Sequence, residues 1–200
     1  MIRGLLLIIG CIVVSTGPAI GQTLRELVRE SHRDQIITVN VEKPFVPFSW
    51  VLKQTDLIVR GTLGSGVAVL SDDETDVVTT YPLISPRVVF PSNYKPYSTP
   101  GPQVQPLAIS VHGGTTIVEG FKVTVGRDDT PTMNSGTEVI AFLRSDRQRY
   151  WIAAETGIFA VSATRLLIPL SHRRGEHEAY KGQDVADFLA EAVRLRQAPK

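Results

Sequence analysis

Only one cysteine, Cys11, occurs among the 200 residues. A single thiol forms no intramolecular disulfide and no thiolate metal cluster. Aromatic residues are scarce at 7%, and charge is almost balanced, with 21 Lys+Arg against 20 Asp+Glu. Such balance argues against electrostatic capture of a polyanion, so no nucleic acid partner is expected. Catalytic signatures are missing as well. The chain has no G-x-S-x-G elbow, no P-loop and no H-E-x-x-H, the patterns that place a nucleophile, a phosphate cradle or a zinc pair. Gly61, Gly64 and Gly66 stand in the wrong order for a dinucleotide loop, and no helical pattern follows them. No apolar run reaches the roughly 20 residues that a helix needs to cross a bilayer.

The longest apolar run, Leu5 to Val14, follows Arg3 and precedes Gly17-Pro18. Ala19-Ile20-Gly21 then places small residues before Gln22. A basic start, a short apolar stretch and a small-residue cut site are the three parts of a cleavable export signal. Residues 1–21 are therefore expected to be a signal peptide, and the product periplasmic or extracellular. Ile8-Ile9-Gly10-Cys11 fits a loose lipobox, but the apolar run continues past Cys11 through Val14, as an acylated N-terminus does not require. Cleavage at Gln22 removes the only cysteine, which suits an oxidising compartment. It also excludes cysteine nucleophiles and zinc sites built on sulfur.

The remaining chain changes period along its length. Leu24, Leu27 and Val28 share one helical face, and Thr23 with Glu26 fits a capping box. A short, terminal helix of this kind is expected to be loosely held. From Ile37 apolar residues alternate, as in a half-buried strand. Trp50, Val51 and Gln54 suggest one or two helical turns over 48–54. Residues 57–63, 67–70 and 77–84 read as strands, with the polar run 71–76 as a hairpin tip. Five prolines fall within residues 91–106, a density that forbids a central strand. Strands resume at Leu107, and Gly113-Gly114 predicts a two-residue hairpin turn. Further strands follow over 115–125, 138–143, 150–154, 158–161 and 165–170. Val185, Phe188, Leu189, Ala192 and Leu195 then form one helical stripe, with acids at its start and arginines at its end.

This layout predicts a mainly β fold, an antiparallel OB-like barrel or sandwich with N- and C-terminal helices. Residues 22–47 supply the N-terminal helix and strand, 48–170 the barrel, and 171–200 the C-terminal loop and helix. Three motifs carry a resemblance: Asp56-Leu57-Ile58-Val59-Arg60-Gly61, Gly136 to Leu143, and Gly157-Ile158-Phe159-Ala160-Val161. In this order they resemble a group of uncharacterised exported bacterial proteins, over roughly residues 50–165. They are also similar to the netrin/tissue-inhibitor-like version of the OB barrel. The resemblance implies a barrel but no catalytic residues. Metalloprotease inhibitors of that group chelate zinc through an N-terminal cysteine. The chain after cleavage has none, so that activity does not transfer.

Candidate chemistry is sparse. Asp72, Glu74 and Asp76 have the first spacings of a calcium loop, but Val77 stands where glycine is needed and Leu83 where a bidentate glutamate is needed. His172, Glu176, His177 and Glu178 form a His/Glu cluster that reads as a polar loop. Ser110, His112 and Asp128 make a triad only if the fold converges them. No cofactor and no metal are expected. Tyr94 and Tyr97, on the proline-rich loop, are the candidate binding residues, as contacts to a partner or as a lid on the core. The sequence thus predicts a non-enzymatic barrel that binds an unidentified protein or envelope ligand through loops. The alternatives are a cell-envelope hydrolase and an OB-type sugar or oligonucleotide binder.

Overall fold

The computed structural model describes residues 22–40, 46–94, 107–128, 130–146, 149–171 and 176–197. The expected signal peptide, Tyr97 and His172 lie outside them. The protein is mainly β, with three α-helices among the described residues.

Five strands close a barrel: β2 (Leu57–Leu63), β4 (Val77–Phe90), β5 (Ala108–His112), β8 (Glu138–Asp146) and β9 (Arg149–Ile152). The circuit runs β2-β4-β5-β9-β8 and returns to β2. It is a Greek-key barrel of the OB type. Antiparallel pairing is not universal, because β5 and β9 run parallel. That pair lets the last strand of the barrel close on the third. β3 (Val67–Leu70) extends the sheet beside β4. β10 (Ile158–Val161) and β11 (Leu167–Pro169) extend it beyond β8, with β11 at the edge.

Sequence alternation explains the barrel interior. Leu57, Val59 and Leu63 of β2 meet Val139, Ala141 and Leu143 of β8, with Ile109 and Val111 of β5. The intervening residues are apolar too. Ile58, Ile140 and Phe142 face a second core under α2 (Phe48–Gln54) and α3 (Val185–Gln197). β2 and β8 are thus buried on both faces and read as nearly continuous apolar runs. Phe48, Phe142, Phe159, Tyr180 and Phe188 interlock there at tilted and edge-on angles, the geometry that ring quadrupoles favour. Helix α2 turns inward Phe48, Val51 and Leu52, leaving Trp50 42% exposed. The expected face through Trp50, Val51 and Gln54 is therefore rotated toward Phe48. On α3, Leu195 is likewise 41% exposed. The last turn still packs on the protein, where Arg196 donates to the Thr55 carbonyl and lies over the Phe90 ring, so Leu195 stands on the face turned away from it.

A separate three-stranded sheet joins β1 (Gln35–Val39), β7 (Phe121–Arg127) and β6 (Gly114–Val118). β1 pairs parallel to β7, and helix α1 (Leu24–Ser31) buries Leu24 and Val28 against the sheet. The capping box of Thr23 and Glu26 forms as expected. On its outer side Arg25 pairs with Glu74 and Glu119, and Arg29 pairs with Glu119.

Gly113-Gly114 is not a hairpin turn. β5 does not pair with β6; the two glycines carry the chain from the barrel into the second sheet. Both adopt positive φ, as expected, but for close approach: a Cβ on Gly113 would sit 2.9 Å from the Val125 carbonyl oxygen, and one on Gly114 would overlap Thr79 Oγ1. The Thr79 hydroxyl donates to the Gly113 carbonyl at 2.6 Å. The true hairpin joins β6 to β7 at Glu119-Gly120, both at positive φ, the backbone of a tight primed turn.

Candidate functional site

Strand register sets one row of side chains across the outside of the barrel. Thr80 of β4 opposes Ser110 of β5, Ser110 opposes Trp151 of β9, and Trp151 opposes Arg144 of β8. Their sequence neighbours Ile109, Val111 and Leu143 fill the interior, so the period of two turns this row outward. His112, two residues beyond Ser110, shares the face. Its ring stacks on Trp151, with centroids 4.6 Å apart and planes 20° apart.

Helix α2 brings Trp50 across from this face. Together Val46, Trp50, Ser110, His112, Arg144 and Trp151 line a groove of about 290 Å³, and residues 152–155 form its end. That volume is at the small end of ligand sites, which start near 300 Å³. Trp50 and Trp151 are the only two tryptophans in the chain. Neither indole N–H has a hydrogen-bond partner among the described residues, and Arg144 has no ion-pair partner among them. Glu155 also lines the groove, but it has partners within the protein.

His112 is oriented from below. Its Nδ1 donates to Asp76 Oδ2 at 2.8 Å, and Arg127 approaches the same oxygen at 3.4 Å. Asp76 also accepts from the Val77 amide at 2.7 Å through its other oxygen. The histidine thus has one nitrogen fixed, one face on an indole, and Nε2 without a partner among the described residues.

The triad considered from sequence does not assemble. Ser110 is buried, and its hydroxyl is 3.2 Å from that of Thr80. His112 pairs with Asp76 rather than Asp128. The calcium spacing is dispersed too: Asp76 serves His112, Glu74 serves Arg25, and Asp72 lies 3.7 Å from Arg149. Glu176 of the His/Glu cluster accepts from the Phe48 amide at 2.9 Å, closing an open donor at the start of α2. No group of three or more metal-ligating side chains occurs among the described residues.

Of the two candidate binding tyrosines, Tyr94 is half-buried against the barrel core, its hydroxyl 3.2 Å from that of Tyr150. Sequence reading missed the groove residues Trp50, Trp151 and Arg144. The signal was the alternation in Arg149 to Ile152, which puts Trp151 opposite in face to Tyr150 and Ile152. Comparison with known protein families, with curated proteins and with solved structures finds no match.

Proposed function

We propose that this protein is an exported, non-enzymatic barrel that binds a ring-containing envelope ligand in the groove between α2 and the outer face of β5, β9 and β8. The observation that carries this reading is that both tryptophans of the chain line one small groove. Large apolar side chains are ordinarily buried, and two indoles on one open surface cost solvation that a ligand recovers. An indole offers a flat apolar face and an N–H at its edge, which suits a ring with both apolar C–H groups and hydroxyls. The stack on His112, tied to Asp76, holds Trp151 in place before a ligand arrives. Such preorganisation lowers the entropy cost of binding.

Export rests on the pattern of residues 1–21, and the barrel's likeness to netrin-like domains on the three motifs quoted above. A saccharide suits the groove better than an oligonucleotide, because Arg144 is the only lysine or arginine among its described lining residues and strand backbones demand several cations.

Affinity electrophoresis tests the reading. Envelope polysaccharide cast into a native gel is expected to retard the wild type. The Trp50→Ala/Trp151→Ala protein is expected to run as it does in an empty gel. Equal retardation of both proteins would place the ligand elsewhere.

A further inference from the structure

The groove has a charge preference as well as a shape, and we infer that it selects an acidic saccharide, a sugar ring bearing a carboxylate. This inference rests on the groove being the ligand site and adds which ligand enters it. Register places Arg144 directly opposite Trp151 on the adjacent strand. Opposed side chains on one face of an antiparallel pair have Cβ atoms about 5 Å apart. A ring lying on the Trp151 indole therefore has its substituents within reach of the guanidinium.

Arg144 is exposed and has no carboxylate partner among the described residues. The nearby acids are already engaged. Asp76 is held by His112 and Arg127, and Glu155 has partners within the protein. The groove therefore offers one uncommitted cation and two uncommitted indole N–H donors. These three are donors and the open His112 Nε2 is an acceptor, so the complementary ligand combines acceptors and one negative charge with a hydroxyl. A guanidinium matches a carboxylate through two parallel N–H bonds. The small volume of about 290 Å³ seats one or two rings of a longer saccharide, the rest lying outside the groove.

The chain's two tryptophans make the test direct, because all indole emission comes from this groove. Intrinsic fluorescence is titrated with trigalacturonic acid, with neutral cellotriose and with oligothymidylate, at low and high salt. The acidic trisaccharide is expected to bind about tenfold more tightly, the difference that one charge-assisted contact of ~1.4 kcal/mol supplies. Arg144→Gln is expected to remove that preference, bringing the acidic trisaccharide down to the affinity of the neutral one. Circular dichroism of this surface variant checks that it folds. Equal affinity for the two sugars, or a preference unchanged in Arg144→Gln, would overturn the acidic selectivity and leave the groove reading intact. A response to oligothymidylate but to neither sugar would overturn it in favour of nucleic acid. Silence toward all three would overturn it, and the polysaccharide gel then decides whether the groove reading falls as well.

Discussion

His112 and Trp151 lie on adjacent parallel strands with their rings stacked 4.6 Å apart, and the histidine is fixed from behind by Asp76 at 2.8 Å. The pair joins the hairpin tip at 71–76 to the groove. Asp76 therefore supports both stability and the shape of the site. Asp76→Ala is expected to cost about 1.5–3 kcal/mol, the range for hydrogen bonds to charged groups, and to shift tryptophan emission to the red as Trp151 loosens. Denaturant unfolding and the emission maximum measure the two effects. A destabilised protein with unaltered emission would separate Asp76 from the groove.

Helix α3 has a buried and an exposed face. Phe188 is 1% exposed and touches Phe48, Phe142, Phe159 and Tyr180. Phe188→Ala is expected to cost about 3–5 kcal/mol through lost burial and the cavity left behind. Leu195→Ala, on the exposed face, is expected to stay within about 0.5 kcal/mol. Equal costs in chemical denaturation would contradict the packing described.

The two glycine turns separate strain from collision. Gly120 has positive φ and open space around its Cβ position, whereas Gly114 has positive φ and Thr79 against it. Gly120→Ala is expected to cost about 1 kcal/mol, the scale of a left-handed alanine. Gly114→Ala must also displace Thr79, whose hydroxyl is bonded to Gly113, and is expected to cost more. A smaller loss at Gly114 in thermal melts would mean that the crossover between sheets has slack.

Acid should loosen α1. Hydrogen bonds from Arg25 and Arg29 hold the Glu119 carboxyl below its usual range. A lowered folded pKa means stability that is present above the unfolded value near 4.5. It is lost as pH falls through the folded value. Glu119→Gln is expected to melt below the wild type at pH 7, with the gap closing as pH falls below 4.5 and through the lower folded value. The gap should also shrink in high salt, because these groups are exposed. A gap that persists at low pH would assign Glu119 a role other than its charge.

Much of the fold was legible in the sequence because local patterns and burial agree. The α1 capping box, the hairpin tip at 71–76 and the strands over 57–63, 67–70 and 138–143 follow from period, cap and turn chemistry. Pairing partners were not legible. Gly113-Gly114 has the composition of a hairpin turn, yet its glycines serve close backbone approach across two sheets. The parallel closure of β5 on β9 depends on contacts some 40 residues apart, which no local window contains. The groove was hidden for the same reason. Trp50, Trp151 and Arg144 are unremarkable singly, and only barrel closure sets them together. Tyr94 stood out because its loop is conspicuous, and its ring packs on the barrel beside Tyr150.

The central claim is that Trp50 and Trp151 line one ligand site. Two single-tryptophan proteins, Trp50→Phe and Trp151→Phe, titrated with trigalacturonic acid, test it most directly. Both lone indoles are expected to respond, and each protein's fluorescence midpoint is expected to match its own midpoint from calorimetry. A lone indole that stays silent while calorimetry shows its protein binding the sugar would contradict a shared site.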